Sequence, residues 1–244
     1  MRFYSLFLTA VWRYADIMNI EQLHPWDVTF QEAIKIQNLL KDRVVLKGID
    51  RKINYIAGLD VSYEKDSHLV WAGVVILDFP SLVKIEEQWS SKEVTFPYIP
   101  GLLSFREIPV MIDALGKVEL EPDLIFCDGQ GIAHPRSLGL ASHLGVLLRK
   151  PTIGCAKSRL IGEYSPVGEQ RGDYVYLRHL DKVIGAVIRT RSRVRPVFIS
   201  PGYGIMLDDC IRFVLQTCSK YRIPEPTRQA HLYVNSIRCS NLDR

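Results

Sequence analysis

The sequence predicts an α/β fold with a mixed central β-sheet, an antiparallel meander plus parallel strands, flanked by helices. Three runs rich in β-branched or aromatic residues lie between residues 55 and 89, which is typical of a meander. From residue 104 onward, predicted helices and strands alternate as they do in βαβ units. The apolar run 124–127 ends at Asp128 and two glycines, as a buried parallel strand does. Ligands of open α/β sheets bind beyond the carboxyl ends of such strands.

Each element has a local signal in the sequence. Thr29 and Glu32 form a capping box, and apolar residues at helical spacing continue that helix to about Asp42. Turn residues separate the strands of the meander. The predicted strands are 55–62, 70–77, 83–89, 124–128 and 152–155, with a further hairpin at 183–190 and 197–200. The later predicted helices are 104–115, 137–148, 207–218 and 227–234.

The composition favours a single domain. A chain of 244 residues with 47% apolar content can bury roughly 70% of its surface, and no linker, repeat or charge block interrupts it. We predict an N-terminal extension at 1–17, a working start at Met18, one catalytic domain at 18–235 and a flexible tail at 236–244. The apolar segment 3–12 is too short to span a bilayer.

Charge and cysteine content restrict the function classes. A net charge of +4 permits a polyanionic partner without requiring one. The five cysteines contain no CxxC pair, so neither a zinc site nor a disulfide framework is indicated. A reducing cytoplasm fits this pattern, and we predict no membrane association.

Two acidic residues stand at strand positions. Asp60 is a lone acid in an otherwise uncharged predicted strand, and burying a carboxylate is costly without compensation. A metal ion, a salt bridge or a solvated sheet edge would each explain it. Asp128 precedes a loop that contains His134; alternatively, Asp128 and Gly129 form only a turn.

A third acid follows a stiff loop. Pro97 and Pro100 restrict the backbone on either side of Tyr98, so an aromatic ring is expected at a rigid tip. Glu107 follows, and Ser104 with Glu107 also reads as a capping box that merely begins a helix. Topology favours another role, because Asp60, Glu107 and Asp128 can converge at one rim of a sheet. Such oxygen ligands suit Mg²⁺ or Mn²⁺.

Five motifs together resemble the endonuclease V family, the deoxyinosine-directed nucleases of the ribonuclease H-like superfamily. The resemblance covers nearly all of residues 25–235 and implies a ribonuclease H-like fold. The motifs are AGLDVSYE at 57–64, PYIPGLLSFRE at 97–107, DLIFCDGQGIAHPRSLGLASHLG at 123–145, PTIGCAKSRL at 151–160 and IPEPTRQAH at 223–231.

The resemblance assigns catalytic roles position by position. It implies that Asp60 and Asp128 bind Mg²⁺, with Mn²⁺ able to substitute, and that Glu107 completes an acidic triad. Lys157 would contact the scissile phosphate; without its motif it would be read as an ordinary surface cation, as would Arg159. His231 falls where some relatives carry a histidine near the metal.

The resemblance also implies a base-reading site. Tyr98 corresponds to the wedge that fills the gap left in a duplex by a displaced base. The chain departs from the family at Tyr203: the family usually shows Gly-His after the last core strand, whereas this chain reads Ser200-Pro-Gly-Tyr203-Gly. Because that histidine lies outside the triad, we do not expect catalysis to be lost. The other residues implied for substrate binding are Pro97, Ile99, Pro100, Gly101, Leu103, Gly129, Gly131, His134 and Leu160.

The expected function is therefore a magnesium-dependent DNA repair endonuclease acting on deoxyinosine, in duplex or single-stranded DNA. The family cuts the second phosphodiester bond 3′ to the lesion and leaves 3′-hydroxyl and 5′-phosphate ends. We expect a monomer. An inosine-specific endoribonuclease and a non-cleaving inosine-binding module are the alternatives, and the retained acids argue against the second.

Four arginines alternate at 189, 191, 193 and 195. On an extended segment they would share one face and could follow phosphates, whereas a solvated hairpin is the alternative.

Overall fold

The computed structural model describes residues 18–64 and 67–242 of the chain. Its strands are β1 (Tyr55–Tyr63), β2 (Leu69–Asp78), β3 (Lys84–Glu93), β4 (Leu124–Cys127), β5 (Thr152–Ala156), β6 (Tyr174–His179), β7 (Lys182–Ile188) and β8 (Val197–Tyr203). Its helices are α1 (Phe30–Leu40), followed by a 3₁₀ turn (Lys41–Arg43), α2 (Leu103–Leu115), α3 (Leu140–Leu148), α4 (Leu207–Thr217) and α5 (Glu225–Leu242).

All eight strands join one sheet in the order β3-β2-β1-β4-β5-β8-β7-β6. The meander β1 to β3 is antiparallel, whereas β1, β4 and β5 run parallel. β8 then pairs antiparallel with β5 on one side and with β7 on the other. The predicted mixed sheet flanked by helices is therefore confirmed.

Helices cover both faces of the sheet. Alternate residues of β1 and β4, such as Leu59 and Ile125, pack with apolar residues of α2 and α3 in one core. The intervening residues, such as Ile56 and Phe126, pack with α4 on the opposite face. α5 lies on that second face as well, where Ala230 contacts Val75 and Leu77 of β2. Asp60, within β1, and Asp128, directly after β4, thus lie between two helical layers.

Several predicted boundaries were wrong. The predicted hairpin at 183–200 is only part of a three-stranded unit, because β6 pairs with β7 and was missed. α3 begins at Leu140 instead of Ser137, since Ser137 has a left-handed φ of 54° that ends the preceding turn. α5 starts before Thr227 and continues to Leu242, so the tail predicted from residue 236 is helical over most of its length. The predicted extension at 1–17 lies outside the described residues.

Of the two alternatives for the arginines at 189–195, the extended segment was wrong and the solvated hairpin agrees with the structure, because the antiparallel strands β7 and β8 flank an exposed loop. These residues leave β7 and form a turn in which Arg193 has a φ of 61°, so they do not share the face of an extended segment. Arg189 instead donates hydrogen bonds to the carbonyl oxygens of Val167, Gly168 and Val194. Its guanidinium therefore holds loops together.

Within 18–64 and 67–242, no helix combines the length and apolar character needed to cross a membrane.

Candidate active site

Asp60 and Asp128 lie side by side because of the register between β1 and β4. That parallel register pairs Leu59 with Cys127, so the next residue of each chain is an aspartate. The amide of Asp128 donates to the carbonyl of Leu59 at 3.4 Å, which holds the end of β4 against β1. The centre of the site is therefore formed by Asp60, which lies within β1 and not at its end, and by Asp128, which directly follows β4.

Helix α5 approaches this centre closely because β1 carries a glycine there. A Cβ atom added at Gly58 would lie 1.9 Å from the carbonyl oxygen of Pro226, in the first turn of α5. Two residues later on the same face, Asp60 accepts a hydrogen bond from Nδ1 of His231 at 2.6 Å. Glycine at position 58 thus allows α5 to bring a histidine to the aspartate.

A second polar contact fixes α5 against β1. Ser62 donates to the Asn235 side chain at 2.8 Å, and the Asn235 amide donates to the carbonyl oxygen of His231 at 2.8 Å. Ser62 lies two residues after Asp60 on β1, and Asn235 lies four residues after His231 on α5, so this second contact lies beside the first. The hydrogen bond to Asp60, opposed in part by burial, raises the pKa of His231.

Glu107 reaches the centre from α2, on the other face of the sheet. Its side chain is buried, and burial together with the charges of Asp60 and Asp128 raises its pKa to about 8. The capping-box alternative was wrong, because Leu102 is the N-cap residue and α2 has no side-chain cap. Ser104 lies inside the helix, and its hydroxyl contacts Nδ1 of His143 at 3.0 Å.

Lys157 follows β5 and pairs with Asp128. Its Nζ lies 2.5 Å from Oδ2 of the aspartate, and its side chain is half exposed. Burial and the neighbouring Asp60 raise the pKa of Asp128, and Lys157 partly opposes that shift. Burial lowers the pKa of Lys157, but its bond to Asp128 outweighs that effect, so the net shift is upward.

The donor atoms at the centre fit a hard divalent cation. One ligand atom from each of Asp60, Asp128 and His231 lies within 4.8 Å of the others. Three buried or half-buried carboxylates in one place repel one another, and this repulsion adds to the effect of burial in raising the pKa of Glu107. Carboxylate oxygens suit Mg²⁺ and Mn²⁺, and an imidazole nitrogen is compatible with Mn²⁺.

A cavity of about 260 Å³ adjoins the carboxylates. Glu107 and Asp128 form part of its wall. Of the residues predicted to bind substrate, seven border it: Tyr98, Pro100, Gly101, Leu103, Gly129, His134 and Leu160.

Three side chains hold the Gly101 wall of the cavity in place. The carbonyl oxygen of Gly101 accepts hydrogen bonds from Nε2 of His134 at 2.9 Å, from Arg136 at 2.7 Å and from Gln37 at 3.1 Å. Gly101 has a φ of 81°, a conformation that favours glycine. Burial lowers the pKa of His134 to about 4, so this histidine is a neutral support for the loop.

Tyr98 stands at the rim, and the residue is 57% exposed. Its ring centroid lies 6.3 Å from that of Tyr63, and the Arg106 guanidinium lies 5.2 Å from the Tyr63 ring centroid. Arg106 also donates to the carbonyl oxygens of Phe96 and Ser67. A buried arginine and a second tyrosine therefore support the exposed ring.

The remaining predicted residues lie outside the cavity wall. Gly131 packs against β8, where a Cβ atom would meet the carbonyl oxygen of Pro201 at 2.0 Å, so its role is close packing. Pro97 and Ile99 flank Tyr98 in the loop between β3 and α2. Tyr203, at the position of the usual family histidine, packs beside Leu40, Leu138 and Val146.

Sequence reasoning missed the residues that position others. Gln37, Arg136, Tyr63, Arg106 and Asn235 act through contacts far apart along the chain. Arg136 stands inside the DLIFCDGQGIAHPR motif, Tyr63 inside AGLDVSYE and Arg106 inside PYIPGLLSFRE, so the motifs did contain a signal for three of them.

Comparison with known proteins places this arrangement in a family. The Endonuclease V family model matches residues 38–232. Endonuclease V of Nostoc sp. strain PCC 7120 is 50% identical over 214 residues, 87% of this chain and 97% of the relative.

Two solved structures have the same architecture. The crystal structure of endonuclease V from Streptomyces avermitilis has a TM-score of 0.85 at 41% identity and covers 89% of this chain and 96% of its own. Ciona intestinalis endonuclease V, solved in complex with a 24mer DNA containing an inosine followed by a ribo-adenosine, has a TM-score of 0.75 at 28% identity. That alignment covers 86% of this chain and 98% of the Ciona chain.

Proposed function

Because this chain belongs to the endonuclease V family, a family of DNA endonucleases, we propose that it cleaves DNA containing deoxyinosine with Mg²⁺ as its cofactor. The cut falls at the second phosphodiester bond 3′ to the lesion and leaves 3′-hydroxyl and 5′-phosphate ends, as the resemblance implies. The observation that carries the proposal is the gathering of Asp60, Glu107 and Asp128 beside a cavity of about 260 Å³.

Each side chain of the centre has a chemical task in phosphodiester hydrolysis. A divalent cation held by Asp60 and Asp128 would polarise the phosphate and stabilise the leaving 3′ oxygen. Glu107, which is buried beside Asp60 and Asp128, is suited to orient the attacking water and, once ionised, to accept its proton. Lys157 is exposed enough to exchange its contact with Asp128 for one with the scissile phosphate. His231 holds Asp60 in position and is a further candidate ligand.

Recognition of the lesion requires the base to leave the duplex. The Watson–Crick edge of a stacked base is inaccessible, so a lesion reader displaces the base and fills the gap. The supported, exposed ring of Tyr98 is suited to fill it. Hypoxanthine differs from adenine at the N1 proton and the carbonyl, and the backbone around Gly101 and Gly129 borders the cavity where that edge would lie.

The same site could accept inosine in RNA. The nucleic acid bound by the Ciona relative carries a ribo-adenosine directly after the inosine, which supports inosine-directed ribonuclease activity as a second candidate function.

We further propose a monomer with one catalytic domain at 18–235 that acts in the cytoplasm. All five cysteines are free, as expected in a reducing compartment.

One matched set of substrates tests the proposal. Single-stranded and duplex DNA and RNA oligonucleotides, each with inosine or adenosine at one position, are incubated with Mg²⁺ and the wild-type protein or Asp60→Ala. We expect cutting of inosine DNA by the wild type only, with 5′-phosphate on the product. Uncut inosine DNA would refute the proposal, and equal cutting of adenosine DNA would refute lesion specificity. Cutting of inosine RNA alone would establish the second candidate.

A further inference from the structure

A second, larger concavity is lined by the segment of chain that directly follows one wall of the base cavity. Its volume is about 1080 Å³, and it is lined by residues 161–165 and by the edge strand β6. The segment 158–160 immediately before it lines the base cavity. One continuous stretch of chain, 158–165, therefore separates two concave surfaces, and we call the larger one the β6 groove.

The β6 groove has a rigid floor. Glu163 and Arg178 exchange two backbone hydrogen bonds, at 2.7 and 2.9 Å, which join the segment to the sheet edge. Gly162, with a φ of 86°, makes the turn that brings the chain there. The floor is thus preformed and needs no ordering when a ligand binds.

Aromatic rings paired with arginines face the groove. Tyr164 is 40% exposed, and its ring meets Phe198 edge-on at a centroid distance of 5.5 Å. The Arg159 guanidinium lies 5.7 Å from the Tyr164 centroid and also borders the base cavity. The Arg178 guanidinium likewise lies 6.0 Å from the ring centroid of Tyr176. Anchored exposed rings and arginines are the groups on which unpaired bases stack.

The charge of the groove indicates how a strand would bind. Arg178 and His179 line it, but so do Glu163 and Asp181, so the groove offers no excess of positive charge to phosphates. Ring stacking must then supply the interaction, with Arg159 at the border between the two concavities.

We propose that the β6 groove binds an unpaired stretch of the same nucleic-acid strand next to the displaced base, with a flanking base stacked on Tyr164. This inference rests on the proposed function, because it takes the base cavity as the site of the lesion. It adds a second contact region that lengthens the footprint on single-stranded substrate.

The test measures affinity against strand length. Full-length protein carrying Glu107→Gln, which prevents cutting, binds single-stranded DNA with one deoxyinosine in Mg²⁺, followed by fluorescence anisotropy. The DNA carries short flanks, or a flank lengthened by about six nucleotides on the 5′ or the 3′ side. We expect lengthening on one side to tighten binding at least about fivefold, the effect of roughly one stacked base.

Variants in the same background isolate the ring. Tyr164→Ala should abolish the gain from the longer flank, and Tyr164→Phe should keep it. Affinity for the short oligonucleotide should stay unchanged in both, which shows that the variants are folded. The salt dependence of DNA binding should also be the same with and without the Tyr164 substitutions, because stacking neutralises no phosphate. Tyr221→Ala is a matched control, since Tyr221 is likewise exposed beneath an arginine but lies after α4.

Two outcomes would overturn the inference: no gain from either flank, or an equal gain with Tyr164→Ala. Failure of the proposed function gives a different result. In that case the Glu107→Gln protein with Tyr164 intact would bind inosine and adenosine oligonucleotides equally, whatever the length of the flank.

Discussion

The burial of Glu107 predicts how stability depends on pH when no metal is bound. Its pKa rises from an ordinary 4.5 to about 8 in the folded protein, so the folded state binds this proton more tightly than the unfolded state. The associated stability is fully present below about pH 4.5 and is lost as the pH rises through 8. At about 1.4 kcal/mol for each tenfold difference in proton affinity, the loss reaches at most about 5 kcal/mol.

Glu107→Gln removes this titration while keeping the shape of the side chain. We expect the free energy of unfolding of the variant, relative to the wild type, to rise by several kcal/mol between pH 5 and pH 8.5 in the presence of a chelator. Urea titration at each pH measures it, and Glu119→Gln, at an exposed glutamate, is the control that should show no such change. A difference in the free energy of unfolding between Glu107→Gln and wild type that is constant, or that falls with pH, would refute the burial of Glu107 beside the other two carboxylates.

Two further predictions follow from the packing of α5 and from the loop tip. Gly58→Ala should destabilise the protein by about 1–3 kcal/mol or more and reduce cleavage, because its Cβ would collide with Pro226 of α5. Gly48→Ala is the control, since the nearest atom to a Cβ there lies at 3.8 Å. A free energy of unfolding for Gly58→Ala equal to that of Gly48→Ala would argue against this packing. Tyr98→Ala should slow cleavage of duplex inosine DNA more than of single-stranded inosine DNA, since only a duplex has a gap to fill. Equal losses on the two substrates would eliminate the wedge role.

The sequence was informative where a local pattern has one structural meaning. An apolar run that ends in Asp128 and two glycines indicates a strand end, and the parallel register then places Asp60 beside it. Topology and the resemblance both indicated Glu107, and the resemblance alone indicated His231; the structure brings both to the same centre. The first helix was predicted nearly to its ends because its capping box is a local interaction.

Other features depend on contacts between distant parts of the chain. Ser104 and Glu107 have the spacing of a capping box, yet tertiary contacts direct one to His143 and the other to the carboxylate centre. The length of α5 is set by its packing on β1 and β2, including the space left at Gly58, and its sequence alone suggested a shorter helix. The support of Gly101 by Gln37 joins residues 64 positions apart, which no spacing rule anticipates.

Metal titration tests the central claim most directly. In calorimetry with Mn²⁺ at pH 7.5, the wild-type protein should bind the ion saturably. Asp60→Asn and Asp128→Asn should each weaken binding at least about tenfold, because losing even a residue that only supports a metal ligand typically costs that much. Asp208→Asn, at an exposed acid of α4, should leave the affinity unchanged. Unaltered Mn²⁺ affinity in Asp60→Asn and Asp128→Asn would contradict the account, because the carboxylates would then not form the ion site.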